Sequence, residues 1–244
     1  MRRMHIPDGF IDAPTSLGAG AVAAAGVGVC IQRCNATLDE RQIPMVGLTA
    51  SFVFAAQMLN FPVAAGTSGH LLGGVLAAAL VGPWAGALAV TVVLVVQGLL
   101  FADGGLSALG LNVVNMALVG ALAGYAVFLG LRSVLPRTHT GVVASAGVAA
   151  ALAPVLASIA FCVEYALGGN DAVGLGRVAG SMIGVHLLIG IGEGVITAMT
   201  VSAVLASRPD LVYGARDLAP LAGPADVVAA APCAPLPPPA APPP

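Results

Sequence analysis

The first residues of the chain contain a histidine that could bind a transition metal. If the chain begins at Met4, its free amine, the amide nitrogen of His5 and the His5 imidazole can chelate one ion within a plane. A second imidazole, from His70 in the loop Gly66-Thr67-Ser68-Gly69-His70, would complete a set of four nitrogens. A planar four-nitrogen set suits Ni(II) or Cu(II) better than Zn(II). The pattern therefore predicts a metal site that depends on a start at Met4.

The composition indicates that this site belongs to an integral membrane protein. Hydrophobic residues make up 58% of the chain and charged residues 8%, too few to cover a water-soluble surface. All nine basic residues are arginine and the net charge is -2, which excludes a basic surface for nucleic acid. The four cysteines, Cys30, Cys34, Cys162 and Cys233, have neither C-x-x-C spacing nor a disulfide framework, and we interpret them as small apolar residues.

Apolar segments long enough to cross a bilayer, about 20 residues each, predict an all-α fold. We expect six spans, at about 15–33, 43–60, 84–102, 108–132, 141–167 and 180–206, and one short or broken helix over 70–82 that starts in a loop. The predicted units are a metal-binding segment (4–14), a seven-helix transmembrane domain (15–207) and a Pro/Ala-rich tail (208–244). Because that tail cannot build a core, we expect it to be disordered and cytoplasmic.

The arginines predict an orientation in the plasma membrane. With the N-terminus outside, six of them fall in cytoplasmic loops: Arg33, Arg41, Arg132, Arg137, Arg208 and Arg216. The outer loops then carry acidic residues against the single Arg177: Asp103, Glu164 and Asp171. Cytoplasmic enrichment in arginine is the usual pattern. Arg2 and Arg3 contradict it unless translation starts at Met4 or the first three residues are removed, so the topology and the chelate require the same start.

Several polar residues near the outer ends of the spans are candidates to support the histidines. Four amides either orient the imidazoles or tie helices together: Gln57, Asn60, Asn112 and Asn115. Ser68 and His186 are further candidates for contact with the metal ligands. Glycine pairs spaced four apart predict close helix packing: Gly120 and Gly124, Gly180 and Gly184, and Gly190 and Gly194.

The last span places three polar residues, His186, Glu193 and Thr197, on one helix face. Ionisable groups inside a membrane are costly and are usually functional or paired. Three interpretations compete: support beneath the metal, a proton relay, and a structural hydrogen-bond tie between helices. We favour the tie for Glu193 and Thr197. The chain contains no H-E-x-x-H, which removes the main support for an intramembrane metalloprotease.

Three segments resemble the CbiM/NikM family, the substrate-capture components of energy-coupling factor (ECF) transporters for cobalt and nickel. They are Met4-His5-Ile6-Pro7-Asp8-Gly9-Phe10, the loop from Asn60 to Gly74, and His186 to Gly194, and the likeness runs from Met4 to residue 207. The resemblance implies that Met4 and His5 provide the amine, amide and imidazole, and His70 the fourth nitrogen. The Thr67-Ser68-Gly69-His70-Leu71 loop is closer to the nickel-type branch than to the cobalt branch, but the sequence does not separate the two ions.

The resemblance also implies partners. These are a transmembrane coupling subunit of the CbiQ/NikQ type, cytoplasmic ATPases of the CbiO/NikO type and a small accessory membrane subunit, since this chain has no G-x-x-x-x-G-K-[ST] loop of its own. We therefore expect a non-enzymatic component that captures Ni(II) or Co(II) at the outer face and carries no organic cofactor. The alternatives are an ion-coupled secondary carrier, with His186 and Glu193 as its proton relay, and a structural scaffold that binds no metal.

Overall fold

The computed structural model describes residues 5–58, 61–62, 68–169 and 173–218. Met4 and Asn60, two of the predicted site residues, lie outside this part of the chain, and Ser68 is described by its backbone alone. Most of the predicted tail, from residue 219 onward, also lies outside it.

Seven helices form the described part of the chain, as the sequence predicted. They are α1 (Ala13–Thr37), α2 (Ile43–Met58), α3 (Gly74–Val81), α4 (Pro83–Leu100), α5 (Leu109–Val134), α6 (His139–Gly168) and α7 (Leu175–Ser207). Within α5, the stretch Val113–Ala123 is a π-helix. A short antiparallel pair, β1 (Phe61–Pro62) with β2 (Ser68–Gly69), precedes α3. The predicted short helix over 70–82 is α3.

Five of the helices, α1, α4, α5, α6 and α7, are long and apolar enough to cross a membrane. The predicted span over 43–60 corresponds to α2, of which the structure describes 16 residues, Ile43–Met58. The charge pattern also needs a correction at Glu164. We expected it in an outer loop, but it lies inside α6, where it is buried.

Local sequence explains where the helices begin. The side chain of Asp12 accepts a hydrogen bond from the Thr15 amide at 2.9 Å and caps α1, with Pro14 in the first turn. Gly82, with φ at 92°, turns the chain between α3 and α4, and Pro83 then starts α4. These residues fix the starts of α1 and α4.

The core surrounds α3, the shortest helix. All eight of its residues are buried, and it packs against α4, α5 and α6. Gly74 permits this contact, because a Cβ atom there would lie 2.6 Å from the carbonyl carbon of Gly120. The long helices α6 and α7 pair along their length.

The glycine pairs predicted to allow close packing behave differently from one another. Gly190 and Gly194 lie against α6, and an added Cβ at Gly194 would be 2.7 Å from the Gly147 carbonyl oxygen. Gly180 and Gly184 have open space beside them. Spacing alone therefore predicted the tight contact for one of these two pairs on α7.

The chain after α7 folds back on the bundle. Residues Pro209–Leu211 and Tyr213–Ala215 form 3-10 turns, and Val212 between them is fully buried. The Arg132 guanidinium donates to the Asp217 carboxylate at 2.7 Å. The described part of the predicted tail thus packs on the core up to Leu218.

Candidate metal site

The N-terminal segment is held across the bundle by the loop between α4 and α5. The Ile6 amide donates to Asn112 Oδ1 at 3.1 Å, and Asn112 Nδ2 donates to the Ile6 carbonyl at 3.4 Å. The Gly105 amide donates to the same carbonyl at 2.9 Å. Asn112 and this loop therefore fix the backbone directly after His5.

A second tie lies two residues further along. Asp8 Oδ1 accepts hydrogen bonds from the Ser107 amide at 2.8 Å and from the Ser107 hydroxyl at 2.6 Å. The 103–107 loop can lie against the N-terminal segment because residue 104 is a glycine. Gly104 adopts φ of 95°, and a Cβ atom there would lie 2.9 Å from His5 Cβ. The contacts bring the terminus and the 103–107 loop together.

His5 is buried beneath this loop, with 6% of its surface exposed. Its Nδ1 atom lies 3.2 Å from the Asp103 carbonyl oxygen and 3.7 Å from a carboxylate oxygen of the same residue. Its Nε2 atom is buried and makes no hydrogen bond within the described residues. An unpaired buried ring nitrogen is costly unless it has a ligand to meet.

His70 lies beside His5, although the two residues are far apart in sequence. The ring centroids are 5.0 Å apart and the planes are close to perpendicular, at 82°. The Nδ1 atom of His70 is 2.8 Å from the Leu71 carbonyl oxygen. That contact assigns the ring proton to Nδ1, which leaves the Nε2 lone pair to bind a metal.

Burial favours the neutral form of both imidazoles. Burial, reinforced by the neighbouring His5, lowers the pKa of His70 to about 4. Burial also lowers the pKa of His5, against the opposing effect of the Asp103 carboxylate. A neutral imidazole is the form that coordinates a metal.

The backbone after His70 is fixed by polar side chains from two helices. Gln57 Nε2, on α2, donates to the Leu72 carbonyl at 2.7 Å. The two carboxylate oxygens of Glu193, on α7, accept the Leu72 amide at 2.8 Å and the Gly73 amide at 3.0 Å. Glu193 thus ties α7 to the start of α3, whereas the Thr197 hydroxyl has no hydrogen-bond partner among the described residues.

A cavity of about 240 Å³ opens beside the two imidazoles. Its polar lining includes His186, whose Nδ1 lies 2.7 Å from the Met182 carbonyl oxygen, one helical turn away. Asn115 also lines it and donates to Glu164 Oε2 at 2.7 Å. Of the predicted residues, His5, His70 and His186 therefore share one cavity, and Asn115 ties α5 to α6.

The described residues contain no group of three or more His, Cys, Asp or Glu side chains able to hold a metal ion. A site here would depend on backbone or terminal nitrogens in addition to the two imidazoles. We had counted Asp103 only as a loop charge, and its position beside His5 was not predicted. The signal was present in Asp103-Gly104-Gly105, an acidic residue before glycines that permit close approach.

Taken together, the buried imidazole pair and the long apolar helices define a multi-pass membrane protein with a candidate metal site at one end. Comparison with known proteins agrees with this class. Residues 5–211 match the family model described as CbiM, cobalt uptake substrate-specific transmembrane region. The chain therefore belongs to the CbiM family of transport proteins and is a cobalt/nickel uptake component rather than an enzyme.

Curated relatives carry matching descriptions. A putative fused nickel transport protein NikMN of Archaeoglobus fulgidus is 40% identical over 210 residues, which cover 86% of this chain and 68% of that protein. The cobalt transport protein CbiM of Geobacter sulfurreducens is 35% identical over 217 residues, which cover 86% of this chain and 61% of that protein. The relatives thus include both nickel and cobalt transport proteins.

Solved structures share the fold. The crystal structure of a truncated transition metal transporter superposes with a TM-score of 0.74 at 31% identity, covering 83% of this chain and 99% of that one. A second crystal structure, of a transition metal transporter, gives a TM-score of 0.75 at 30% identity and covers 93% of that chain.

Proposed function

We propose that this chain captures Ni(II) or Co(II) in a square-planar site of four nitrogens: the Met4 amine, the His5 amide, the His5 imidazole and the His70 imidazole. The observation that carries the proposal is the meeting of His5 and His70 as a buried, neutral pair with ring centroids 5.0 Å apart. Such a plane selects ions that accept square-planar nitrogen coordination.

The chemistry assigns one nitrogen of each ring to the metal. His70 binds through Nε2, because its Nδ1 contacts the Leu71 carbonyl. Within His5, only Nδ1 can close a chelate ring with the amide nitrogen of the same residue. Since that atom now faces Asp103, metal capture requires the His5 ring to rotate until Nδ1 faces the amide nitrogen of its own residue.

The free amine requires a mature chain that starts at Met4. A longer chain would carry an amide nitrogen at that position, and Arg2 and Arg3 would lie outside the cell against the arginine pattern. We propose that the terminus and both histidines face outward, with the segment from 4 to 14 as the metal-binding arm of the transmembrane domain. Asn60, Ser68 and His186 remain candidates to support the ligands.

As a CbiM-family member, the chain is proposed to work within an ECF transporter. A transmembrane coupling subunit and cytoplasmic ATPases would drive release of the ion inward, and a small accessory membrane subunit would assist capture. The contacts of Glu193 favour this assembly over an ion-coupled carrier. Both of its oxygens already accept backbone amides, which supports a structural tie.

Metal titration of the purified full chain, started at Met4, tests the proposal. We expect His5→Ala and His70→Ala each to abolish tight binding of Ni(II) and Co(II) while the protein stays folded in detergent, because each removes one of the proposed ligands. His139→Ala is the matched control, since His139 lies at the start of α6, among residues distinct from those lining the site. Full affinity in either site variant would contradict the four-nitrogen plane.

A further inference from the structure

The proposed site, on which this inference rests, has an unbalanced charge once it is loaded. The ion brings two positive charges, and its ligands are a neutral amine, a deprotonated amide and two neutral imidazoles. The amide contributes one negative charge, so the filled plane retains one positive charge. Because an uncompensated charge in a water-poor interior is costly, the protein should hold an anionic group nearby.

Asp103 has the position that this requirement predicts. Its side chain is 10% exposed, and one carboxylate oxygen lies 3.7 Å from His5 Nδ1. Its backbone is fixed, since its amide donates to the Gln97 carbonyl at 3.1 Å. The charge also acts on both rings. Burial lowers the pKa of His5 and of His70, and the Asp103 carboxylate opposes that lowering at each of them.

Other carboxylates near the site already have different tasks. Both oxygens of Glu193 accept the amides of Leu72 and Gly73. Glu164 accepts from the Asn115 amide. Asp8 is exposed and accepts from Ser107. Asp103 is the carboxylate that the described contacts place directly against a metal-binding imidazole.

We propose that Asp103 is the counter-charge of the loaded metal site. Its carbonyl oxygen and one carboxylate oxygen lie 3.2 Å and 3.7 Å from His5 Nδ1, the atom that the proposed chelate uses. A carboxylate this close offsets the single positive charge that the loaded plane retains, in the way that carboxylates support metal-binding imidazoles elsewhere.

Asp103→Asn tests the charge with little change of shape. In a competition titration of Ni(II) against a chromogenic chelator, we expect this variant to bind about 10- to 100-fold more weakly than wild type. The visible absorption of bound Ni(II) should stay unchanged, because the four nitrogens remain. Asp39→Asn is the matched control. It makes the same substitution at an exposed carboxylate before α2, outside the lining of the site cavity, and solvent screening should keep its affinity within about twofold of wild type.

A second matched pair keeps the test decisive if Asp103→Asn does not fold. Asp103→Glu should bind Ni(II) about tenfold more tightly than Asp103→Gln, since the two differ in charge and share their length. Equal affinity within the pair, or wild-type affinity in Asp103→Asn, would overturn the counter-charge.

The same titrations of His5→Ala and His70→Ala distinguish failure of this inference from failure of the proposed function. If those variants keep their affinity, the proposed function fails; if they lose it while Asp103→Asn does not, only this inference fails.

Discussion

Each of the two site histidines precedes a helix, and the two helices differ in how the bundle holds them. His70 leads into α3, where all eight residues are buried. His5 lies ahead of α1, where four of 25 residues are buried. The His70 side of the site is therefore fixed by the core. The His5 side depends on hydrogen bonds from the 103–107 loop and from Asn112. We infer that the proposed site has a rigid half at His70, held by the core, and a second half at His5, held by the hydrogen bonds of the N-terminal arm.

The largest expected effect comes from filling space beside α3. In Gly74→Ala, the new Cβ meets the backbone of α5 at Gly120 and Ala121, which side-chain rotation cannot relieve. We expect a loss of about 1–3 kcal/mol in the free energy of unfolding, seen as a lower melting temperature in detergent. Metal affinity should fall with it, because α3 carries His70.

Gly18→Ala in α1 is the control for that experiment. Open space lies beside Gly18, and alanine is favoured over glycine in a helix by about 0.5–1 kcal/mol. Melting at or above the wild-type temperature is the expected result. If both variants lost stability equally, α1 would be held as tightly as α3 and the comparison would be wrong.

Glu193→Gln tests how α7 fixes the start of α3. The carboxylate accepts two backbone amides, whereas a glutamine offers one carbonyl oxygen and turns an NH2 group toward the other amide. One buried amide is left unpaired, at a cost of about 1–3 kcal/mol. Thr197→Val, one turn along the same face, should change stability little because its hydroxyl has no hydrogen-bond partner among the described residues.

Uptake of radiolabelled nickel by cells with the whole transporter separates a structural tie from a proton relay. With a tie, Glu193→Gln lowers uptake only as far as it lowers metal binding. With a relay, transport is lost while binding in detergent is spared. The second pattern would favour the ion-coupled carrier over the ECF component.

The sequence predicted most of the fold because hydrophobic length is a direct signal of membrane helices. It also predicted that His5 and His70 would meet, since the topology expected from the arginines places both at the outer face of the same bundle. It named Asn112 and Gln57 as amides that orient the imidazoles or tie helices, but it did not predict which backbone groups they pair with, nor the position of Asp103 beside His5. Those depend on which backbone groups the folded loops leave to be paired, and a sequence without an alignment does not show that pairing. Glu164 was misplaced for the same reason, because its partner Asn115 is on another helix.

The smallest effect should come from the arm, and it should fall on binding rather than on folding. Asn112→Ala removes both hydrogen bonds to Ile6 and leaves the half-buried Ile6 amide without that acceptor. One or two such bonds contribute about 1 kcal/mol in total, so Ni(II) affinity should fall about fivefold while the melting temperature stays near wild type.

Asn115→Ala, three residues along the same helix, should do the opposite. It unpairs the buried Glu164 and destabilises the α5–α6 contact, yet it does not touch the N-terminal segment. Measuring affinity and melting for both variants gives a crossed comparison. If Asn112→Ala melted earlier than Asn115→Ala and bound metal normally, the arm would be part of the folded core, and the site would have two rigid halves.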